Sequence, residues 1–441
     1  MKILLVNPPI YDFSAFDFWL KPYGLLRVGG ALRDQADLRL FDFLDRRHPD
    51  ARRKRCDDWG RGKFMSEVVA KPAALCDIPR HYRRYGLPRE SFRRFLDEQG
   101  PFDYALIQTS MTYWYPGVAE VLETLTREAP ATRTVLGGVY ASICPEHARS
   151  LGPDLVIEGD RLDPLWEFLE CRGDLDQPPY WEGYERLDTG VLKLAEGCPF
   201  RCTYCSVPRF QPEYRPGSLG AALDSLDLLV RLGSRQIVFY DDALLFRPDS
   251  LFLPFLEALP HDPMDRVFHT PNALNARFLN DRVAERMAAA RFRFLYLGFE
   301  SDSMVWQRRT GGKVYPEELE RAVQSLARAG IGPEWVTCYL IVGHPRSDGQ
   351  AVEHSMQYAH SLGLRVMLSE YSPIPGTPDG ELCRSRVDLD EPLNHNKTAS
   401  AHRHLGRARL QELKDLANDL NREIETRGGL GGPGSWKLGA G

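Results

Sequence analysis

Long apolar runs are missing from this 441-residue chain. The N-terminal MKILLVNPPIYDF has only a short apolar stretch before Asn7-Pro8-Pro9, too brief for a signal peptide or a membrane span. It reads as the first strand of a domain, and no membrane partner is expected. Cysteine is scarce as well. Nine residues, an odd number and mostly scattered, exclude a disulfide framework and point to a reducing cytoplasm. Cys56, Cys76, Cys144, Cys171, Cys338 and Cys383 read as free thiols, several of them acting as small hydrophobes. Neither sign of charge dominates: 56 Lys and Arg against 61 Asp and Glu leave a net charge of -5. Whole-protein attraction to nucleic acid or anionic lipid is therefore not expected.

What is present is core material. Hydrophobic residues make up 43% and aromatics 11%, and the length exceeds what one core organises, so two principal domains are expected. Over residues 1–172, apolar runs such as KILLV, LRLFDF, YALIQTS, TVLGGVY and DLVIEGD alternate with amphipathic stretches. That pattern predicts an α/β domain with a doubly wound, Rossmann-like parallel sheet. A basic insertion at about residues 45–100 interrupts it, carrying RRHPDARRKRCDDWGRGK and HYRRYGLPRESFRRF. It reads as a solvated helical face or as a phosphate-binding surface.

A second series follows over residues 185–382. Its predicted strands are 191–198, 235–242, 266–272, 293–300, 335–344 and 365–374, separated by helices that stop at Gly233 and Gly330. Six βα units in a row suit a partial (β/α)6 TIM-type barrel, with function at the C-terminal strand ends. Residues 383–427 read as a helical segment. The glycine-rich 428–441 reads as a disordered tail.

Against the cysteine scarcity, EGCPFRCTYC places Cys198, Cys202 and Cys205 within eight positions at the end of the first barrel strand. Thiolates ligate iron-sulfur clusters and structural zinc. Zinc wants a fourth ligand and none stands nearby, whereas three thiolates suit a 4Fe-4S cluster with one open iron; coincidental free thiols are the third reading.

The stretch from Cys198 to Cys205, with Tyr204 before the last cysteine, resembles the signature of the radical S-adenosylmethionine (SAM) superfamily. The resemblance covers residues 191 to about 380. It implies a 4Fe-4S cluster on Cys198, Cys202 and Cys205 whose open iron chelates SAM, and reductive cleavage of SAM to methionine and a 5'-deoxyadenosyl radical. It also implies an electron donor such as flavodoxin or ferredoxin. By the same resemblance the strand ends carry the SAM contacts: Asp241 and Asp242, Asn272, Glu300 and Ser301, Gly343, and Ile374 within Pro373-Ile374-Pro375-Gly376. Tyr204 belongs with them. A surface acidic turn at residues 241–242 and a helix cap at Asn272 are the plain alternatives.

The N-terminal half resembles the cobalamin-binding-type domain that many of these enzymes carry, through Asn7-Pro8-Pro9, Ser110-Met111-Thr112 and Leu136-Gly137-Gly138. The resemblance implies that Ser110, Gly137 and Gly138 border cobalamin, glycine admitting the cofactor where a Cβ would collide. Alternatively the glycine pair only turns the chain. The D-x-H-x-x-G loop that would ligate cobalt through histidine is absent. The leading expectation is cobalamin-dependent methyl transfer to an unactivated carbon of a small molecule or peptide. Alternatives are a cobalamin-independent catalyst of cyclisation or rearrangement, an RNA-binding modification protein, and an iron-sulfur sensor.

Overall fold

The computed structural model describes residues 1–52, 56–259, 266–332 and 335–427. The tail at 428–441 and the cations Arg53, Lys54 and Arg55 of the basic insertion lie outside them.

Five strands form the N-terminal sheet: β1 (Lys2–Asn7), β2 (Asp37–Asp42), β3 (Tyr104–Thr109), β4 (Arg133–Gly138) and β5 (Leu155–Val156). They pair in parallel in the order β5-β4-β3-β1-β2. The chain leaves β1 for one side and returns on the other at β3. That reversal opens a crevice beyond the carboxyl ends of β1 and β3, where doubly wound sheets receive ligands. β1 is apolar on both faces because both are covered. Leu4 and Val6 pack against helix α2 (Tyr115–Glu128), and Ile3 and Leu5 against Leu25 of helix α1 (Tyr23–Ala31).

The basic insertion folds back onto this domain instead of remaining a solvated face. Arg83–Tyr85 pairs with Ile10–Asp12 and with Ser66–Val68, and Gly62–Lys63 pairs with Phe16–Asp17. Two of its cations are spent inside the protein. Arg84 is bound to Glu120 in a buried ion pair. Arg61 donates to Asp57 and to the Tyr296 hydroxyl, with its guanidinium 4.1 Å from the Phe294 ring centre. With Trp19 stacked on His269 and Trp59 edge-on to it, these groups plug the N-terminal end of the second sheet.

That sheet runs in chain order, all parallel: β6 (Thr189–Leu192), β7 (Gln236–Phe239), β8 (Val267–Leu274), β9 (Phe292–Glu300), β10 (Val336–Val342) and β11 (Arg365–Glu370). β6 and β11 are its two edges, so the barrel is open. Helix α3 (Leu219–Arg231) starts on the Ser218 side chain, which accepts from the Ala221 amide, and ends before Gly233 at φ +85°. The two sheets are not independent. Trp19, Leu26, Trp181 and Tyr184 share one core with Val191, Leu226 and Phe239.

The C-terminal segment closes the assembly. Asn421 hydrogen-bonds both the N–H and the carbonyl of Val366 on edge strand β11, occupying groups an edge leaves open. His395 and Asn396 reach back to Thr112 and Asp12 in the N-terminal domain. No described helix is long and apolar enough to cross a membrane.

Candidate active site

The first barrel strand ends earlier than the predicted 191–198, and Cys198 does not close it. β6 stops at Leu192, and Ala195–Glu196 forms a separate antiparallel ribbon with Arg215–Pro216. The cause is Asp241. Its buried carboxylate accepts from the amides of Leu194 and Ala195 at 3.0 and 2.7 Å, drawing the chain off the parallel ladder. Burial raises the Asp241 pKa to about 7, the two amides and Lys193 opposing it. Gly197, at φ +71°, then turns the chain into the motif.

The loop is held from two sides. The Thr203 amide donates to the Thr310 carbonyl at 3.1 Å, the last residue of helix α4 (Met304–Thr310). Gly311, at φ +112°, lies against the backbone of Arg201 and Cys202 so closely that a Cβ would stand 3.1 Å from Cys202 Cα. On the other side the Thr203 hydroxyl donates to Asp379, whose own amide donates to the Thr203 carbonyl at 3.1 Å. Asp379 is fully buried and also accepts from His344 Nε2 and Arg346 Nε. His344 Nδ1 faces the indole N–H of Trp306 and the Arg346 amide, so both donors meet the bare nitrogen and the proton resides on Nε2.

All three thiols are half-buried. Burial raises each pKa, Cys205 to about 12. Cys202 adds to the rise at Cys198 and Cys205, and the cation all three share is Lys313, which favours their charged forms. Lys313 was not anticipated from the sequence. Its ammonium passes Gly298, where a Cβ would collide with it, and pairs with Glu300 at 2.8 Å. Burial disfavours the charge, but Glu300 and Cys202 outweigh it and the pKa is raised. Glu300 ends β9 at φ +69°, a strained conformation for a side chain of this kind.

The comparisons bear on this loop. Residues 192–382 match the radical SAM superfamily. Residues 192–382 are a radical SAM domain.

A curated relative, a threonylcarbamoyladenosine tRNA methylthiotransferase from Thermotoga maritima, is 22% identical over 69% of this chain and 70% of its own length. Several further relatives are matched over about half of their length. Among solved structures, the radical SAM methyltransferase TsrM from Kitasatospora setae, with cobalamin and a [4Fe-4S] cluster bound, superposes with a TM-score of 0.64 at 15% identity, covering 94% of this chain and 91% of that one. The cobalamin-dependent radical SAM enzyme OxsB, with aqua-cobalamin and SAM bound, gives a TM-score of 0.57 at 13% identity, covering 98% of this chain and 63% of that one. At these identities the likeness establishes the shared fold: a doubly wound sheet followed by a parallel barrel sheet.

The donor set fits the radical SAM cluster. Among the described residues no three His, Cys, Asp or Glu converge as one metal ion would require. Three thiolates that each take a different iron of a cubane need not converge so tightly. The radical SAM superfamily, which residues 192–382 match, uses this 4Fe-4S cluster with SAM, and the chain is an enzyme.

The other predicted contacts fall into two groups. Asp242 lies 3.5 Å from the Lys193 ammonium, which also binds Glu196 at 2.6 Å. Asn272 is within β8, not at a helix cap, and donates to the Tyr240 carbonyl at 2.8 Å. It is exposed towards the strand ends. Tyr204 is half-buried against Trp306, ring centres 5.6 Å apart, with its hydroxyl beside Cys202. These residues surround the barrel mouth with Glu300. Ser301 is instead tied down, its carbonyl accepting from Gln307 at 2.7 Å. The Ile374 carbonyl accepts from the Thr377 hydroxyl at 2.7 Å. The space beside Gly343 admits helix α6 (Lys397–Leu405), where a Cβ would stand 2.8 Å from Ala401 Cα.

In the N-terminal sheet, Ser110 helps line a small cleft at the β1/β3 reversal, with Asn7, Pro8, Pro9, Lys21, Gln108, Met111, Trp114 and Tyr140. Among the described residues no histidine lines it. Gly138 ends β4 at φ +111°, where a Cβ would stand 2.3 Å from the Thr109 carbonyl oxygen, and the Gly137 carbonyl accepts from the Thr109 hydroxyl.

Proposed function

We propose that this radical SAM enzyme binds cobalamin in the β1/β3 cleft and uses it to transfer a methyl group to an unactivated carbon of a small molecule or peptide. The observation that carries the reading is a shared wall. Lys21 lines the cleft, and its amide donates to the hydroxyl of Tyr240 at 3.0 Å, at the end of barrel strand β7. That contact joins the cleft wall to a barrel strand end, which supports a reading in which a cofactor in the cleft and SAM in the barrel would meet a substrate between them.

Cys198, Cys202 and Cys205 would hold the cluster. Bound there, cluster and SAM supply a 5'-deoxyadenosyl radical on one-electron reduction. Lys313 would offer its ammonium to the SAM carboxylate, while Glu300, paired with it at 2.8 Å, keeps that cation charged and oriented. Asp242, with Glu196, presents carboxylates towards an ammonium, and Asn272 can donate and accept at the rim. Asp241 serves the architecture, since its oxygens are taken by amides. A carbon radical requires no general base for hydrogen abstraction, and none is assigned.

The cleft suits cobalamin in chemistry. Met111, Trp114 and Tyr140 give it apolar and aromatic faces, while Asn7, Gln108 and Ser110 give it hydrogen-bonding groups. Among the described residues that would hold cobalamin there, none is a histidine that could offer it an imidazole. The free thiols suit a reducing compartment such as the cytoplasm. Reconstitution with iron, sulfide and hydroxocobalamin tests the reading: corrin absorbance should remain after desalting, and methyl-deuterated SAM should label cobalamin and then a substrate. Formation of 5'-deoxyadenosine with no retained corrin would instead favour the cyclisation or rearrangement reading.

A further inference from the structure

Asp12 is a buried carboxylate that the chemistry above leaves unused. It ends the short strand Ile10–Asp12, just after the Asn7-Pro8-Pro9 turn of the cleft. A carboxylate kept from water needs donors, and Asp12 has three: the Phe13 amide at 2.7 Å, the Trp114 indole N–H at 2.9 Å and the Asn396 side-chain amide at 2.9 Å. Two of these come from distant parts of the chain. Trp114 is only half-buried and lines the cleft, so its one polar group is held from behind while its ring forms wall. Asn396 belongs to the C-terminal segment, where its oxygen also caps α6 by accepting from the Ala399 amide at 3.0 Å.

The same segment backs the other apolar residues of the cleft. His395 Nε2 donates to the Leu389 carbonyl at 2.9 Å, so Nδ1 accepts from the hydroxyl of Thr112, the neighbour of Met111, also at 2.9 Å. Glu391 accepts from the Tyr115 hydroxyl at 3.3 Å, and Tyr115 stacks on Tyr140 with ring centres 5.9 Å apart. Met111, Trp114 and Tyr140 are thus each reached from one residue between 391 and 396. On its other side the segment grips the barrel. The Ser372 hydroxyl donates to the His395 carbonyl, and Thr398 donates to Glu370 at the end of β11 at 2.6 Å. Ala401 packs on Gly343, just past β10.

We propose that residues 391–401 are a brace that fixes the back wall of the β1/β3 cleft against the ends of β10 and β11, with Asp12 and Asn396 as the positioning pair that sets the Trp114 ring. The inference rests on the cofactor reading of the cleft and extends it to a segment outside both sheets. An indole whose N–H has lost its acceptor can leave its rotamer. A flat cofactor would then have to order that wall on binding, which weakens its affinity.

The test uses full-length, cofactor-free protein labelled with 5-fluorotryptophan. The fluorine line of Trp114, one of eight tryptophans, is assigned by its loss in Trp114→Phe, and in the wild type it should be single and narrow. Asn396→Asp keeps the helix cap but sets a carboxylate against Asp12, and Asp12→Asn leaves a single oxygen for three donors. Each should broaden or split the Trp114 line and leave the lines of buried Trp19 and Trp181 in place. Asn396→Ser, which keeps a capping oxygen and loses the amide, serves if the charged variant does not fold. Hydroxocobalamin affinity, measured by equilibrium dialysis, should fall about five-fold or more in both variants. Adding Trp114→Phe to Asn396→Asp should lower it little further, because Asn396 acts through that ring. Arg403→Ala breaks the contact of α6 with Asp77, away from the cleft, and should leave the Trp114 line unchanged and the affinity within about two-fold. The proposal is overturned if the Trp114 line is the same in wild type and variants, or if Arg403→Ala disturbs it equally. A wild type that binds no corrin would strike the cofactor reading instead, and the fluorine lines would still decide the brace.

Discussion

Asp379→Asn offers a test of how the cysteine loop is held. The Asp379 carboxylate is buried, and although burial raises its pKa, hydrogen bonds from His344, Arg346 and Thr203 bring it down from 3.8 to about 2. At 1.36 kcal/mol per pKa unit, that difference is worth about 2.5 kcal/mol of stability near neutral pH. The carboxyl is more acidic folded than unfolded, so this contribution is complete above about pH 5, falls through the unfolded value near pH 4, and is gone below about pH 2. The variant keeps the shape and removes the charge. For a domain of about 200 residues the loss corresponds to a Tm about 5–10 °C lower at pH 7. Urea titrations of wild type and variant at several pH values should show a gap that is flat from pH 7 to 5 and roughly halves by about pH 3. Iron content after reconstitution should also fall, because Thr203 between the ligands loses its anchor. A gap below about 0.5 kcal/mol at pH 7, or one that widens on acidification, would refute the reasoning.

Cys198→Ser should abolish both the iron-dependent absorbance and 5'-deoxyadenosine formation while leaving circular dichroism unchanged. Lys313→Met should weaken SAM binding about ten-fold or more and destabilise the fold by stranding Glu300; adding Glu300→Gln should restore stability, read by melting, without restoring SAM affinity, read by calorimetry. Ser110→Trp, which fills the β1/β3 cleft, should prevent retention of cobalamin and leave SAM cleavage intact. Asp241→Ala should cost about 2–4 kcal/mol, since it leaves two buried amides without acceptors, and a neutral result would remove that residue from the account of the strand break.

Residues close in the chain and repeated patterns were legible in advance. Cys198, Cys202 and Cys205 lie within one loop, so their spacing alone carries the ligand geometry. The alternation of apolar runs with helical stretches is local as well, and it was enough for a doubly wound sheet followed by six βα units, and for helix ends at Gly233 and Gly330. The positive φ at both glycines shows why those helices stop there.

Partners distant in sequence were decided only by tertiary structure. Nothing local marks Lys313 as the cation beside the thiols, because it reaches them past a glycine on another strand. Asp241 resembles a ligand contact in sequence, yet in the folded chain its oxygens close a strand end. Arg61 and Trp59 look like part of a solvated basic run, and they plug the barrel base. The physical reason is the same in each case. Spacing and periodicity set what a segment can present, but a buried charge or hydrogen-bonding group must be satisfied by whichever group the fold brings to it.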